Sequence, residues 1–179
     1  AIEELRNLPY GAAESMNAAL ALLEKPGLTE GEILQLGGWL HEGGRGRDAI
    51  SLLRTNLEER FRRSASLTLL LGDILLESGE YAEAARRFGM VLDLRPEEGP
   101  ALLSRFEKLA EMLPRDAVTQ QSLGRLYARQ RQFPQAIQSL ETALTLGEME
   151  ADLLFTLCDA YLETKNYARA VDVLERLYK

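Results

Sequence analysis

The sequence predicts an all-α chain made of short antiparallel helix pairs. Three observations carry that reading. Small residues return at a fixed interval: Gly38 and Gly72 are 34 positions apart, and so are Gly124 and Cys158. Their neighbours follow at the same offset: Leu123 with Leu157, Tyr127 with Tyr161, Phe133 with Tyr167, Ala136 with Ala170 and Leu140 with Leu174. No stretch alternates with period two between hairpin signals, so no strand is predicted.

The elements follow in order. Residues 1–30 form a leading segment. Positions 1–8 look like the tail of a helix, and a second helix runs from about Gly11 to Glu24 until Pro26-Gly27 ends it. Residues 31–64 form a divergent unit. Thr29 and Glu32 make a capping box for its first helix. Gly37 stands beside Gly38, and the small second-helix residue Ala49 comes one position early. Its glycine-rich turn at 42–47 carries no aromatic, and glycine loses the most entropy on ordering, so a looser turn is expected.

The unit at 65–98 is better formed. One helix runs from about Ser66 to Ser78, Gly79 breaks it, and a second runs from about Ala82 to Leu94 and stops before Pro96. Gly72 and Ala84 are expected where the two helices cross, with Phe88 filling the gap to the next pair. Residues 99–116 hold only one helix, from about Pro100 to Met112, or a shortened repeat. There Leu102, Phe106 and Leu109 match second-helix core positions and Pro114 the closing proline. Two further units follow at 117–150 and 151–179. Pro134 falls in the first turn of a second helix, where a missing N–H costs little. Val171, Leu174 and Leu177 are expected to leave an apolar edge, to be covered by further repeats, a partner or a second copy.

The spacing L-G-x-x-[LY]…[YF]-x-x-A-x-x-x-[FL]…P resembles the tetratricopeptide repeat. It rests on Leu71, Gly72, Leu75, Ala84, Phe88 and Pro96, then on Leu123, Gly124, Tyr127, Ala136, Leu140 and Ala143, then on Leu157, Tyr161, Ala170 and Leu174. The resemblance implies a right-handed superhelical solenoid whose first helices line a concave groove for a partner peptide or helix. Carried over repeat by repeat, the groove positions are Gln35, Trp39 and Glu42; Leu69, Asp73, Leu76 and Glu77; Gln121, Arg125 and Arg129; and Phe155, Asp159, Leu162 and Glu163. Trp39 serves as well for a core residue as for an aromatic anchor. One subgroup of the family grips a chaperone's terminal carboxylate with Lys and Asn. The corresponding positions here hold Gln35, Trp39, Leu70, Val118 and Ser122, so that clamp is not expected.

Charge spacing adds a pattern. Asp73 with Glu77, Arg125 with Arg129, and Asp159 with Glu163 are each four apart and share a helical face. Successive first helices would present acid, base and acid. This forms either an inter-repeat ion-pair ladder or a basic site for an acidic partner segment.

Composition and residue inventory narrow the function further. The 179 residues are 46% hydrophobic and 27% charged, with a net charge of -7. That balance argues against nucleic acid, whose phosphates need a basic surface. The arginines at 45, 47, 54, 60, 62 and 63 are local and partly cancelled by Asp48, Glu58 and Glu59. His41 is the one histidine and Cys158 the one cysteine, so no catalytic triad, His/Cys metal site or internal disulfide can be assembled. Both are expected to pack, His41 half-buried and Cys158 in place of a glycine. No cofactor is expected, since the glycines of 43–46 lack the Lys-Ser/Thr and preceding strand of a phosphate loop.

No apolar run approaches the ~20 residues that span a bilayer. No signal or lipidation motif is visible, and the sequence starts at Ala1 without methionine, which fits a processed or excised segment. The expected setting is soluble, cytoplasmic or periplasmic. The expected function is a non-catalytic interaction scaffold. The alternative is a spacer or oligomerisation segment of a larger assembly, such as a bacterial cell-envelope or secretion machine, self-associating through the C-terminal edge.

Overall fold

A computed structural model describes residues 27–147 and 150–177. The helices expected at 1–8 and 11–24 lie outside the described residues. Those residues are all-helical, and the chain divides into two compact units, 1–94 and 95–179.

The N-terminal unit contains α1 (Glu30–Glu42), α2 (Gly46–Glu59), α3 (Ala65–Glu77) and α4 (Tyr81–Leu94). α1 packs on α2, α3 packs on α4, and α2 packs on α3. The expected capping box starts α1: the Thr29 hydroxyl accepts from the Glu32 N–H, and the Glu32 carboxylate accepts from the Thr29 N–H at 2.8 Å. Ser64 caps α3 in the same manner. Arg54 of α2 reaches Glu80 at 3.1 Å and Glu83 at 2.5 Å, which ties the first pair to the second. These contacts are part-exposed and contribute modestly.

The C-terminal unit starts with a 3-10 turn at Pro96–Glu98. It continues through α5 (Gly99–Met112), α6 (Ala117–Arg129), α7 (Phe133–Thr145), α8 (Ala151–Glu163) and α9 (Tyr167–Leu177). α6 packs on α7 and α8 on α9, while α5 packs on α6 and α7 on α8.

The turns between paired helices share one design. A left-handed residue sits at Gly44, Gly79, Arg131 and Lys165, with φ of 76, 81, 60 and 60 degrees. The following residue then donates its N–H back to Leu40, Leu75, Tyr127 and Tyr161, respectively. This closure satisfies carbonyls that a helix end leaves open.

The turns also correct the register of the first unit. Counting back seven residues from the left-handed positions gives Gly37, Gly72, Gly124 and Cys158. Gly37, not Gly38, is therefore the crossing residue, and its spacing to Ala49 then equals that of Gly72 to Ala84. The packing agrees. A Cβ on Gly37 would lie 3.2 Å from Leu53 and 3.3 Å from Leu70, whereas one on Gly38 would meet nothing within 4 Å. The 34-residue spacing of Gly38 and Gly72 is a coincidence of two adjacent glycines. Alanine outranks glycine in a helix by roughly 0.8–1.0 kcal/mol. Gly38→Ala is thus expected to raise stability by up to about 1 kcal/mol. Gly37→Ala gains less because Leu53 and Leu70 must yield. Urea titrations of the two variants check this, and the reverse order would return Gly38 to the crossing.

The glycine crossings also locate Phe88. A Cβ on Gly72 would lie 2.6 Å from Phe88 Cε1, and one on Gly124 would lie 2.5 Å from Leu140 Cγ. Phe88 thus packs within its own helix pair, over Gly72.

The lone helix α5 acts as a second helix. The Tyr127 hydroxyl of α6 donates to Glu107 of α5 at 3.0 Å. The Tyr161 hydroxyl of α8 donates to Glu141 of α7. Glu107 and Glu141 are 34 positions apart, so α5 stands to α6 as α7 stands to α8. Burial, then the adjacent Glu107, push the Tyr127 hydroxyl up; burial, then Glu141, do the same for Tyr161. Both tyrosines therefore remain protonated donors.

Candidate partner-binding groove

In the C-terminal unit the first helices α6 and α8 pack side by side. α8 is two-faced by sequence. Leu153, Leu154, Leu157, Cys158 and Tyr161 are buried in a core shared with Leu140 and Ala143 of α7 and Ala170 and Val173 of α9. Phe155, Asp159, Leu162 and Glu163 fall on the opposite, exposed side at positions i, i+4, i+7 and i+8. Phe155 is 56% exposed, Leu162 46%, and Tyr167 at the start of α9 61%. These side chains, with Arg125, Arg129 and Arg131, border an open cavity of about 960 Å³. Large apolar side chains left in water around one concavity are an unusual outcome for a folded chain.

Ion pairs cross this surface. Arg125 lies 3.8 Å from Asp152, and Arg131 lies 3.4 Å from Glu163. Arg129 donates to the Pro96 carbonyl at 3.2 Å. The base-to-acid ladder between 117–150 and 151–177 therefore exists, but with Asp152 and Arg131 as participants. Asp152, Arg131, Lys165 and Tyr167 border the same cavity and lie outside the carried-over groove positions. Arg131 with Lys165, and Phe133 with Tyr167, repeat at the 34-residue offset, so the signal was present in the turns. Gln121 is turned inward: it is 9% exposed and donates to Glu150 at 2.9 Å.

In the N-terminal unit the predicted positions are more scattered. Gln35 is exposed, while Trp39, Leu69 and Asp73 are half-buried. Leu76 is 8% exposed and belongs to the core of α3, so it offers a partner little surface. The corrected register moves Gln35 and Trp39 one position away from the places held by Leu69 and Asp73. Glu42 and Glu77 are exposed at the ends of α1 and α3. His41 Nε2 lies 3.0 Å from Glu77 Oε2, so the histidine links α1 to α3 as well as being half-buried.

Chemistry is sparse. Cys158 is buried, its sulfur 3.9 Å from the Ala170 carbonyl, and burial followed by Asp159 pushes the thiol up, away from a reactive thiolate. No group of three His, Cys, Asp or Glu residues is placed to hold a metal among the described residues. None of the described helices is long and apolar enough to cross a membrane.

A family model described as tetratricopeptide repeat matches residues 42–98 and 122–179, together more than half of the chain. The chain belongs to the tetratricopeptide repeat family. The interval between the two matched stretches contains α5, the helix without a first-helix mate. No curated protein matches the chain in sequence. Among solved structures, MamA 41-end from Desulfovibrio magneticus RS-1 is 19% identical, with 82% of this chain and 91% of that one covered and a TM-score of 0.42. YrrB, described as a TPR protein with an unusual peptide-binding site, is 15% identical over 89% of this chain and 90% of its own, with a TM-score of 0.44. The TPR2AB domain of yeast Sti1 in complex with pHSP90 is 18% identical over 98% of this chain and 68% of its own, with a TM-score of 0.47. The tetratricopeptide reading thus rests on the family match and on this chain's own helix pairs and turns.

Proposed function

We propose that this chain is a non-catalytic protein-interaction scaffold, and that the α6–α8 surface is where it holds a partner segment. One observation carries the reading: Phe155, Leu162 and Tyr167 stay exposed around a single concavity although the same helices bury a continuous core behind them. Packed helix pairs keep such a surface preformed, which lowers the entropic cost of binding. The mechanism is presentation, with apolar anchors from the partner seated against α8 and its acidic groups near Arg129 and Lys165. Rim charges steer approach more than they hold the complex.

Comparative affinity capture tests this. Full-length protein and a Phe155→Ala/Leu162→Ala variant are incubated with the same lysate, and retained proteins are quantified. The direct partner is then titrated against both. Affinity is expected to fall at least tenfold in the variant, because central aromatic and apolar anchors carry most of an interface's free energy. Arg129→Glu should reduce the association rate and its salt sensitivity. Unchanged affinity in the double variant, with an unchanged melting curve, would remove this surface from the account.

A further inference from the structure

The arginine cluster at 45–63 separates into two parts. Arg45 pairs with Asp48, and Arg54 pairs with Glu80 and Glu83, so these two are neutralised. Arg60, Arg62 and Arg63, on the turn from α2 to α3, are exposed. The offset expected from Glu58 and Glu59 is incomplete: among the described residues neither glutamate forms an ion pair with any of the three. Arg62 donates instead to the Glu58 backbone carbonyl at 2.8 Å, and Arg60 lies over the Phe61 ring, 5.1 Å from its centre. The turn itself is firmly built. The Phe61 N–H donates to the Asn56 carbonyl at 2.8 Å, and the Ser64 N–H donates to the Phe61 carbonyl at 2.9 Å. The buried Ser64 hydroxyl donates to Glu30 of α1 at 2.6 Å. Beside this turn is an open cavity of about 380 Å³, lined by Leu57, Glu58, Arg62, Thr68, Arg87 and Met90. Arg87 is held at its edge by Glu83 at 3.1 Å, and Met90 is 42% exposed. One concavity thus joins a basic edge to an apolar wall.

We infer that this surface binds an acidic segment of a second partner protein. An apolar side chain of that segment enters the cavity against Met90, and carboxylates on either side of it meet Arg60, Arg62 and Arg63. Charge selects the class of occupant. The chain carries a net charge of -7, so a turn with three exposed arginines in four positions stands against its own background. The planar guanidinium matches a carboxylate with two parallel hydrogen bonds. A nucleic acid is the poorer fit: its backbone needs a wider basic surface than this turn offers, and it would leave Leu57 and Met90 uncovered. Glu58 on the cavity wall adds a selection of its own, because it repels a carboxylate placed inside and favours an apolar group there. The site lies in the N-terminal unit and shares no residue with the α6–α8 surface, so it stands whether or not that groove binds a partner.

The probe is a labelled synthetic peptide, Glu-Asp-Glu-Leu-Asp-Glu-Asp, titrated into the full chain by fluorescence anisotropy at low salt. Two companions are titrated beside it: one has serine for the leucine, the other has every carboxylate replaced by its amide. Saturable binding of the first is expected, about tenfold weaker for the serine peptide and absent for the amide peptide. Its affinity should fall as salt rises. Arg62→Glu/Arg63→Glu should abolish binding with an unchanged melting curve, whereas Arg129→Glu in the groove should leave it intact. Equal affinity for the leucine and serine peptides, binding that survives Arg62→Glu/Arg63→Glu or is lost in Arg129→Glu, or no saturable binding overturns the inference. So does tighter binding of a single-stranded oligothymidylate of equal charge, which would make the turn a general polyanion site. A light-scattering mass that is dimeric for the chain alone and halves in Arg62→Glu/Arg63→Glu also overturns it, since a second copy would then hold the surface. The three-peptide comparison uses the unmodified protein, so misfolding of a variant cannot mask the result.

Discussion

Gly124→Val is expected to destabilise the C-terminal unit by about 3 kcal/mol, the upper end of the overpacking range. A Cβ at Gly124 would come within 2.5 Å of Leu140 Cγ, 2.7 Å of Cδ2 and 3.2 Å of the Leu140 backbone nitrogen. The leucine is fully buried and cannot swing away, and its backbone belongs to α7. Helix propensity works the other way for alanine by about 1 kcal/mol, too little to offset a contact of this kind. Valine adds two methyls to the same space and has the poorer helix propensity of a β-branched residue. Chemical denaturation followed by circular dichroism measures the loss. Adding Leu140→Ala should return part of it, because the two substitutions share one volume and are not additive.

Phe88→Ala carries the second large effect. The ring is fully buried against Gly72, and no side chain on Gly72 can expand into the space left by its removal. Truncating a core phenylalanine costs about 3–5 kcal/mol. Trp39 is the one tryptophan and belongs to the same compact unit, so its fluorescence reports on this unfolding. A change under about 1 kcal/mol would mean that Phe88 is not the wedge between α3 and α4.

The all-α class and the pairing of helices were legible in the sequence. Each is governed by local signals: Thr29 and Ser64 as caps, Gly79 at a left-handed turn, Pro134 in a first turn. Leu102, Phe106 and Leu109 of α5 carry second-helix spacing and are buried. Two things were not legible. Adjacent glycines at 37 and 38 left the first unit's register undetermined by offset alone, and only the contacts of a Cβ at each position separate them. The exposed face of α8 was legible from spacing, with Phe155 and Leu162 standing out of a polar face. The faces of α6 and α3 were less legible, since Gln121 and Leu76 turn inward. Spacing places a residue on a helix face, but the tilt of neighbouring helices decides whether that face is covered. Arg131 and Lys165 fall outside first-helix spacing for a different reason. Both occupy a left-handed turn position held elsewhere by Gly44 and Gly79, so a turn residue contributes to a surface expected from helices alone.

The central claim is that the α6–α8 surface receives the partner. Amide hydrogen exchange on the full chain, with and without a saturating amount of the captured partner, measures this directly. The account predicts slowed exchange across Phe155–Glu163 and in the 129–132 turn, with little change in α2 and α4. Slowed exchange confined to α2, α4 or α7, with α8 unaffected, would contradict it.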